Sequence, residues 1–228
     1  LGLATIFTMS NTISSDVDDA LSASLKRKAP EEEEHEHDDE EEDSEEIESA
    51  TLKVLVGHDS KSKVCTAIPV PQKGVDVEEW SVRESLRFLD FLGYQKVVVK
   101  SDQEEALNAV IRKVRQYRGS DKQTMQEHSP VGSSQSNGAT ERRIQTIEGQ
   151  VRTMRSAFES RLGAKIPTGS CLFAWLVIHA GNLITLYETG RDGRVPFQRL
   201  RGRKMHPDLL EFGDNELPPL QTEVHARS

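Results

Sequence analysis

Cysteine is almost absent. Cys65 and Cys171 are the only two, so there is no CxxC pair and no disulfide framework, which excludes a small stapled secreted scaffold. Long apolar runs are also missing: CLFAWLVI, Cys171 to Ile178, is the longest, far short of the roughly 20 residues a spanning helix needs. The opening LGLATIFTMS carries no basic n-region of a secretory leader. No internal repeat is visible, which argues against a solenoid. These absences point to an intracellular protein, nuclear or cytoplasmic, that makes no use of a membrane. The chain is expected to be a piece of a longer polyprotein.

What is present is a strong charge asymmetry. The first 50 residues hold 17 acidic and 3 basic side chains, leaving +5 for the remainder of a 228-residue chain whose net charge is −9. Glu31 to Glu48 (EEEEHEHDDEEEDSEEIE) is almost continuously acidic, and such a run buries too little apolar surface to offset its ordering entropy. Residues 1–50 are therefore expected to be a disordered acidic extension, 51–204 a single domain with a proper core, and 205–228 a polar, proline-containing tail. Lys26, Arg27 and Lys28 form a short basic cluster that fits a nuclear address and equally fits an ordinary solvated stretch.

From Thr51 the texture turns β-rich. Leu52 to Val56 and Val64 to Val70, separated by a Gly, Asp and Ser-rich turn, predict an antiparallel hairpin. Val77, Trp80, Val82, Leu86, Leu89 and Phe91 recur at mostly helical spacing and Gly93 closes the segment, which predicts a helix. Val97 to Val99 reads as a short apolar strand with Asp102 just beyond it, followed by the helical pattern QEEALNAVIRKVRQYRG and a weaker strand at Thr124 to His128. After a Ser/Gly loop, Ile144, Ile147, Val151, Met154, Phe158 and Leu162 form one apolar stripe, with Glu141 at its start. Leu172 to Leu186 predicts a further buried helix. The order hairpin, helix, strand, helix indicates a mixed α/β sheet.

Two carboxylates stand out. Asp102 follows the end of a strand, where ligand-binding groups gather in open α/β sheets, and Glu141 arrives on a helix packed on the same sheet. Converging carboxylates are what hard divalent cations require. Each has a plainer reading: Asp102 with Glu105 fits a helix capping box, and Glu141 fits a first-turn acid favoured by the helix dipole.

The stretches KVVVKSDQEEAL, SPVGSSQSNGATERRIQTIEGQVRTMRSAF and AWLVIHAGNLITLYETGRDGRVPFQRLRGRK, with the hairpin VLVGHDSKSKVCTAIPVPQKG, resemble the integrase catalytic core of copia-type retrotransposon polyproteins. The resemblance covers about Leu52 to Lys204. It implies a ribonuclease H-like fold, a mixed sheet flanked by helices, with an Asp, Asp, Glu triad holding Mg²⁺ (or Mn²⁺) for DNA strand transfer. Asp102 matches the second acid and Glu141 the third, with 38 residues between them, and Gly132 to Gly138 matches the mobile loop beside the site. DNA, as element ends and target, would be the partner, and a homo-oligomer the functional form.

The chain departs from that pattern in one respect: the family's first acid lies on an apolar central strand just before the hairpin, where this sequence has its acidic run. The first strand is therefore expected to be missing or degenerate, and Asp38, Asp39 and Asp43 are poor substitutes in a run of like charges. Asp59 sits in the hairpin turn, at the wrong end. The zinc-binding module of the family is absent too, since His35 and His37 are followed by no CxxC. The rival reading is a catalytically dead remnant that binds DNA. Arg142, Arg143, Arg152 and Arg155 around the Glu141 helix, and Arg201, Arg203 and Lys204 beyond it, are the candidate phosphate contacts.

Overall fold

The computed structural model describes residues 3–13, 51–101, 104–128, 134–205 and 212. A five-stranded sheet in the order β3-β2-β1-β4-β5 forms its centre: β1 is Leu3–Ile13, β2 Leu52–Asp59, β3 Cys65–Val70, β4 Lys96–Ser101 and β5 Gln123–His128. β2 runs antiparallel to both of its neighbours, β1 and β3, with Thr8 opposite Val56 and Val56 opposite Ala67. β4 is parallel to β1 and β5 parallel to β4.

β1 corrects the expectation of a missing first strand. It occupies the middle of the sheet, between β2 and β4, and belongs to a segment that the sequence reading had assigned to the acidic extension. The acidity begins later: LATIFTMSNTI contains no charge and is rich in Thr, Ile and Phe, a β-forming composition. Averaging over 50 residues concealed it. The acidic run and Lys26 to Lys28 lie outside the described residues.

Helices cover both faces. On one, α1 (Trp80–Leu92) and α2 (Glu105–Arg118) close a core of Leu55, Ile68, Val70, Val82, Leu89, Val97, Val99 and Leu107. On the other, α3 (Ser134–Leu162) and α4 (Cys171–Tyr187) bury Val54, Val56, Ala67, Ile147, Val151, Phe173 and Leu176. Successive residues of β2 alternate between the two cores, as the period of a strand demands. A short α5 (Pro196–Arg201) follows, with Pro196 in the first turn where its missing N–H costs nothing.

Local chemistry sets the boundaries. Val77 is fully exposed and precedes α1, which starts at Trp80 because the Asp76 carboxylate accepts from the Trp80 and Ser81 amides at 3.1 and 3.4 Å. Gly93, in the left-handed region at φ 74°, ends α1 with its N–H on the Leu89 carbonyl, as expected. α4 seats on β3 at Gly181, where a Cβ would come within 3.0 Å of the Ala67 amide nitrogen. From the C-terminal tail, Phe212 packs edge-on to Phe158 with ring centroids 5.3 Å apart.

Candidate functional site

Glu141 does not lie on the buried stripe. The buried residues described on α3 are Thr140, Ile147, Val151 and Phe158, whereas Glu141 is exposed. One residue is 100° of rotation, enough to carry it onto the outward row with Glu148 and Arg152. The dipole explanation falls as well: α3 begins at Ser134 and has no acid in its first turn, so Glu141 is two turns inside, beyond the reach of the terminal dipole. Part of the expected loop, Ser134 to Gly138, is helical; the Arg142 Nε donates to the Gly138 carbonyl at 3.0 Å.

Asp102 lies outside the described residues. The capping alternative for it loses support nonetheless, because the N-cap position of α2 is Glu104, whose carboxylate pairs with Lys73 at 2.6 Å. Among the described residues no group of three His, Cys, Asp or Glu side chains is placed to hold a metal ion. β1 supplies no carboxylate at any of its eleven positions. The donor set that the resemblance implies for Mg²⁺ is therefore one acid short, and the residues present do not fit two-ion chemistry.

The arginines differ sharply in how free they are. Arg143 is largely buried and ion-paired to Glu188 at 2.5 Å. Arg155 binds Glu159 at 2.8 Å, donates to the Ile166 carbonyl at 2.9 Å and lies over the Phe173 ring, so it holds α3 to the core and has little left for a phosphate. Arg201 donates to the Phe91 carbonyl at 2.8 Å and covers the Phe91 ring. Arg142 and Arg152 are exposed on α3, and Arg203 and Lys204 are exposed after α5. The Arg152 guanidinium lies near Gly149, where a Cβ would be 4.0 Å from Nη2.

Beneath the first turns of α3 is a polar group that sequence reading missed. His58, 3% exposed, has no hydrogen-bond partner on either ring nitrogen, and the Thr140 hydroxyl is similarly unpaired. Burial, then the Arg143 charge, hold the His58 pKa down at about 4, so the imidazole is neutral. Its cross-strand neighbour Cys65 is a buried thiol pushed up to about 11 by burial and tied through its backbone to Thr185; it is inert, as expected of a structural cysteine. Cys171 is exposed at the start of α4.

Asp59, fully buried, closes the β2–β3 turn. Its Oδ2 accepts from the Ser62 amide at 2.8 Å, the Ser62 hydroxyl at 2.5 Å and the Tyr94 hydroxyl at 3.0 Å. Burial, followed by the Asp59 charge, pushes the Tyr94 phenol up to about 12, which keeps it a donor. The arrangement is that of a turn clamp, and it accounts for an acid at the end of β2 without invoking a metal.

No protein-family model matches the chain, and no curated protein matches it by sequence. Solved structures do resemble it. The catalytic core domain of BIV integrase superimposes with a TM-score of 0.50 at 13% identity, covering 86% of this chain and 92% of that one. The HTLV-2 integrase catalytic core domain, solved in complex with magnesium, gives a TM-score of 0.50 at 10% identity, covering 86% and 95%. The chain thus has the fold of integrase catalytic cores, a ribonuclease H-like mixed α/β architecture. No helix among the described residues is long and apolar enough to cross a membrane.

Proposed function

We propose that this chain is an integrase-type core from a copia-like retroelement polyprotein that holds DNA without transferring strands. The observation that carries this reading is the composition of β1: the central strand is present, at Leu3–Ile13, and has no acid. With Asp102 and Glu141 alone, the attacking and leaving oxygens of a phosphoryl transfer would lack the pair of ions that stabilises both. Strand transfer, the activity the resemblance implies, would need a carboxylate that the strand does not provide. DNA binding needs only accessible cations, and Arg142 and Arg152 on the outward side of α3 are available for it.

The test is strand transfer on labelled element-end oligonucleotides in Mg²⁺ and then Mn²⁺, run beside duplex binding. Binding without transfer is expected. Transfer that disappears in Asp102→Asn and Glu141→Gln would show that an acid elsewhere completes the set and would end the non-catalytic reading. Arg142→Gln with Arg152→Gln should weaken duplex binding and flatten its salt dependence by about 2 in the slope of log K against log salt. An unchanged slope would remove α3 from the interface.

Restoration offers a sharper prediction. β1 and β4 keep register from Leu3 opposite Val97 to Ile6 opposite Lys100; Thr8 is two residues beyond Ile6, as Asp102 is two beyond Lys100. Thr8→Asp should therefore create saturable Mn²⁺ binding, followed by calorimetry, that Asp102→Asn abolishes. Equal Mn²⁺ binding before and after the substitution would mean that β1 has no part in the site.

A further inference from the structure

One residue of the C-terminal tail is seated on the body between two helices. Phe212 packs edge-on to Phe158 of α3 with ring centroids 5.3 Å apart, and lies tilted against His179 of α4 at 5.4 Å. Edge-to-face is a favoured geometry for an aromatic pair. Arg161 Nη2 donates to the Phe212 carbonyl at 2.7 Å, and the same guanidinium lies over the Phe158 ring. Both the side chain and the backbone of Phe212 are therefore held.

The groove that holds this ring continues beyond it. α3 and α4 run antiparallel: Arg143, early in α3, pairs with Glu188, just past the end of α4, while residues 163–170 join their other ends. Leu162 is one turn beyond Phe158, and Trp175 is one turn before His179. Both therefore lie on the rows that flank Phe212, displaced in the same direction along the groove. Leu162 is 53% exposed and Trp175 61%. Two large apolar side chains are thus left open one turn from a filled subsite, the pattern of an interaction surface.

The chemistry of the tail says what fits there. Residues 208–216, DLLEFGDNE, combine Leu209, Leu210 and Phe212 with four acids and no base; of these, Phe212 is among the described residues. Phe158 and His179 take the aromatic anchor, Leu162 and Trp175 offer a place to a second apolar side chain, and Arg161 at the rim suits an acidic peptide. Ten residues separate Arg201, at the end of α5, from Phe212. On so short a tether the effective concentration of the segment is on the order of millimolar.

We propose that the groove between α3 and α4 is a peptide-recognition site for acidic segments with an aromatic anchor, and that its occupant is residues 208–216 of the same chain, docked through Phe212. This activity does not depend on the DNA-binding reading.

Anisotropy of a fluorescein-labelled peptide of residues 207–217, titrated with the 228-residue chain carrying Phe212→Ala, tests it. Saturable binding is expected, at least about tenfold tighter than to the native chain, in which the tethered segment competes. The peptide with Ala in place of its Phe should bind at least about tenfold more weakly, and so should the unaltered peptide to a chain carrying Leu162→Ala and Trp175→Ala as well. Because Leu162 and Trp175 are exposed, the thermal transition serves as a folding control. Phe212→Leu, a milder change that keeps an apolar anchor, should give an affinity between those of the native and Phe212→Ala chains.

Equal affinity of the native and Phe212→Ala chains would overturn the proposal, as would equal binding of the Phe and Ala peptides or unchanged binding after loss of Leu162 and Trp175. A native dimer in sedimentation that Phe212→Ala converts to a monomer would assign the groove to the tail of a second copy, and would likewise overturn docking within one chain.

Discussion

Phe173→Ala should lower the unfolding free energy by about 3–5 kcal/mol, a large part of the roughly 5–15 kcal/mol that holds a domain of this size together. Among the described residues, Phe173 is the largest of the fully buried side chains. It comes from the first turn of α4 and fills the core shared with Val54, Val56, Val151 and Leu176. Ser170 fixes that turn by accepting from the Phe173 amide at 3.2 Å, so the ring cannot shift without breaking the cap. Truncation leaves a cavity and removes the ring beneath the Arg155 guanidinium, 5.4 Å away, exposing a cation to an empty apolar space. Urea unfolding followed by circular dichroism would show a lower midpoint with an unchanged slope. A shift under about 1 kcal/mol would mean that α3 and α4 close over the gap, contrary to close packing of this core.

The second large effect is on pH dependence. His58 has its folded pKa near 4 against an ordinary value of 6.5, so the unfolded chain takes up its proton first as pH falls. Its contribution is complete above about pH 6.5, declines between 6.5 and 4, and levels off below 4, a change of about 3 kcal/mol. The groups facing it share this sign unequally: Arg143 and Lys63 oppose protonation, while Asp59 favours it. Half-buried His179, lowered by burial, acts in the same direction. His58→Phe isolates the term, because it removes both unpaired nitrogens at similar volume. The variant should be at least as stable as the native chain at pH 7 and should lose most of the decline between pH 6.5 and 4. An unaltered decline would place the titration on other groups.

The same residues show why part of the fold was legible beforehand. Periodicity depends on neighbours along the chain, so the hairpin, the four principal helices and β4 followed from spacing alone. β1 was missed because its eleven uncharged residues were read together with the acidic run beyond them. Only pairing to β2 and β4 identifies Leu3–Ile13 as the central strand, and that pairing spans a gap of 38 residues to one partner and more than 80 to the other.

Glu141 illustrates the limit of helical phase. Spacing placed it with Ile144, but a row three residues wide covers neighbouring directions, and packing chose Thr140 as the inward position. The arginines illustrate another limit. In the sequence Arg152 and Arg155 are equivalent charges three residues apart, yet the first is exposed and the second is committed to Glu159, Ile166 and Phe173.

By itself, then, the amino-acid order determined the mixed α/β class, the integrase-like pattern from Leu52 to Lys204, the Asp102 and Glu141 candidates and the separation of an acidic segment from a basic body. These are properties of local pattern and composition. The tertiary structure alone decided that a central strand exists without an acid, that His58 is buried unpaired, and that Arg199 reaches the Ser62 carbonyl from 137 positions later in the chain. Each depends on which distant segments meet, and that is set by packing two helical layers onto one sheet rather than by any spacing along the chain.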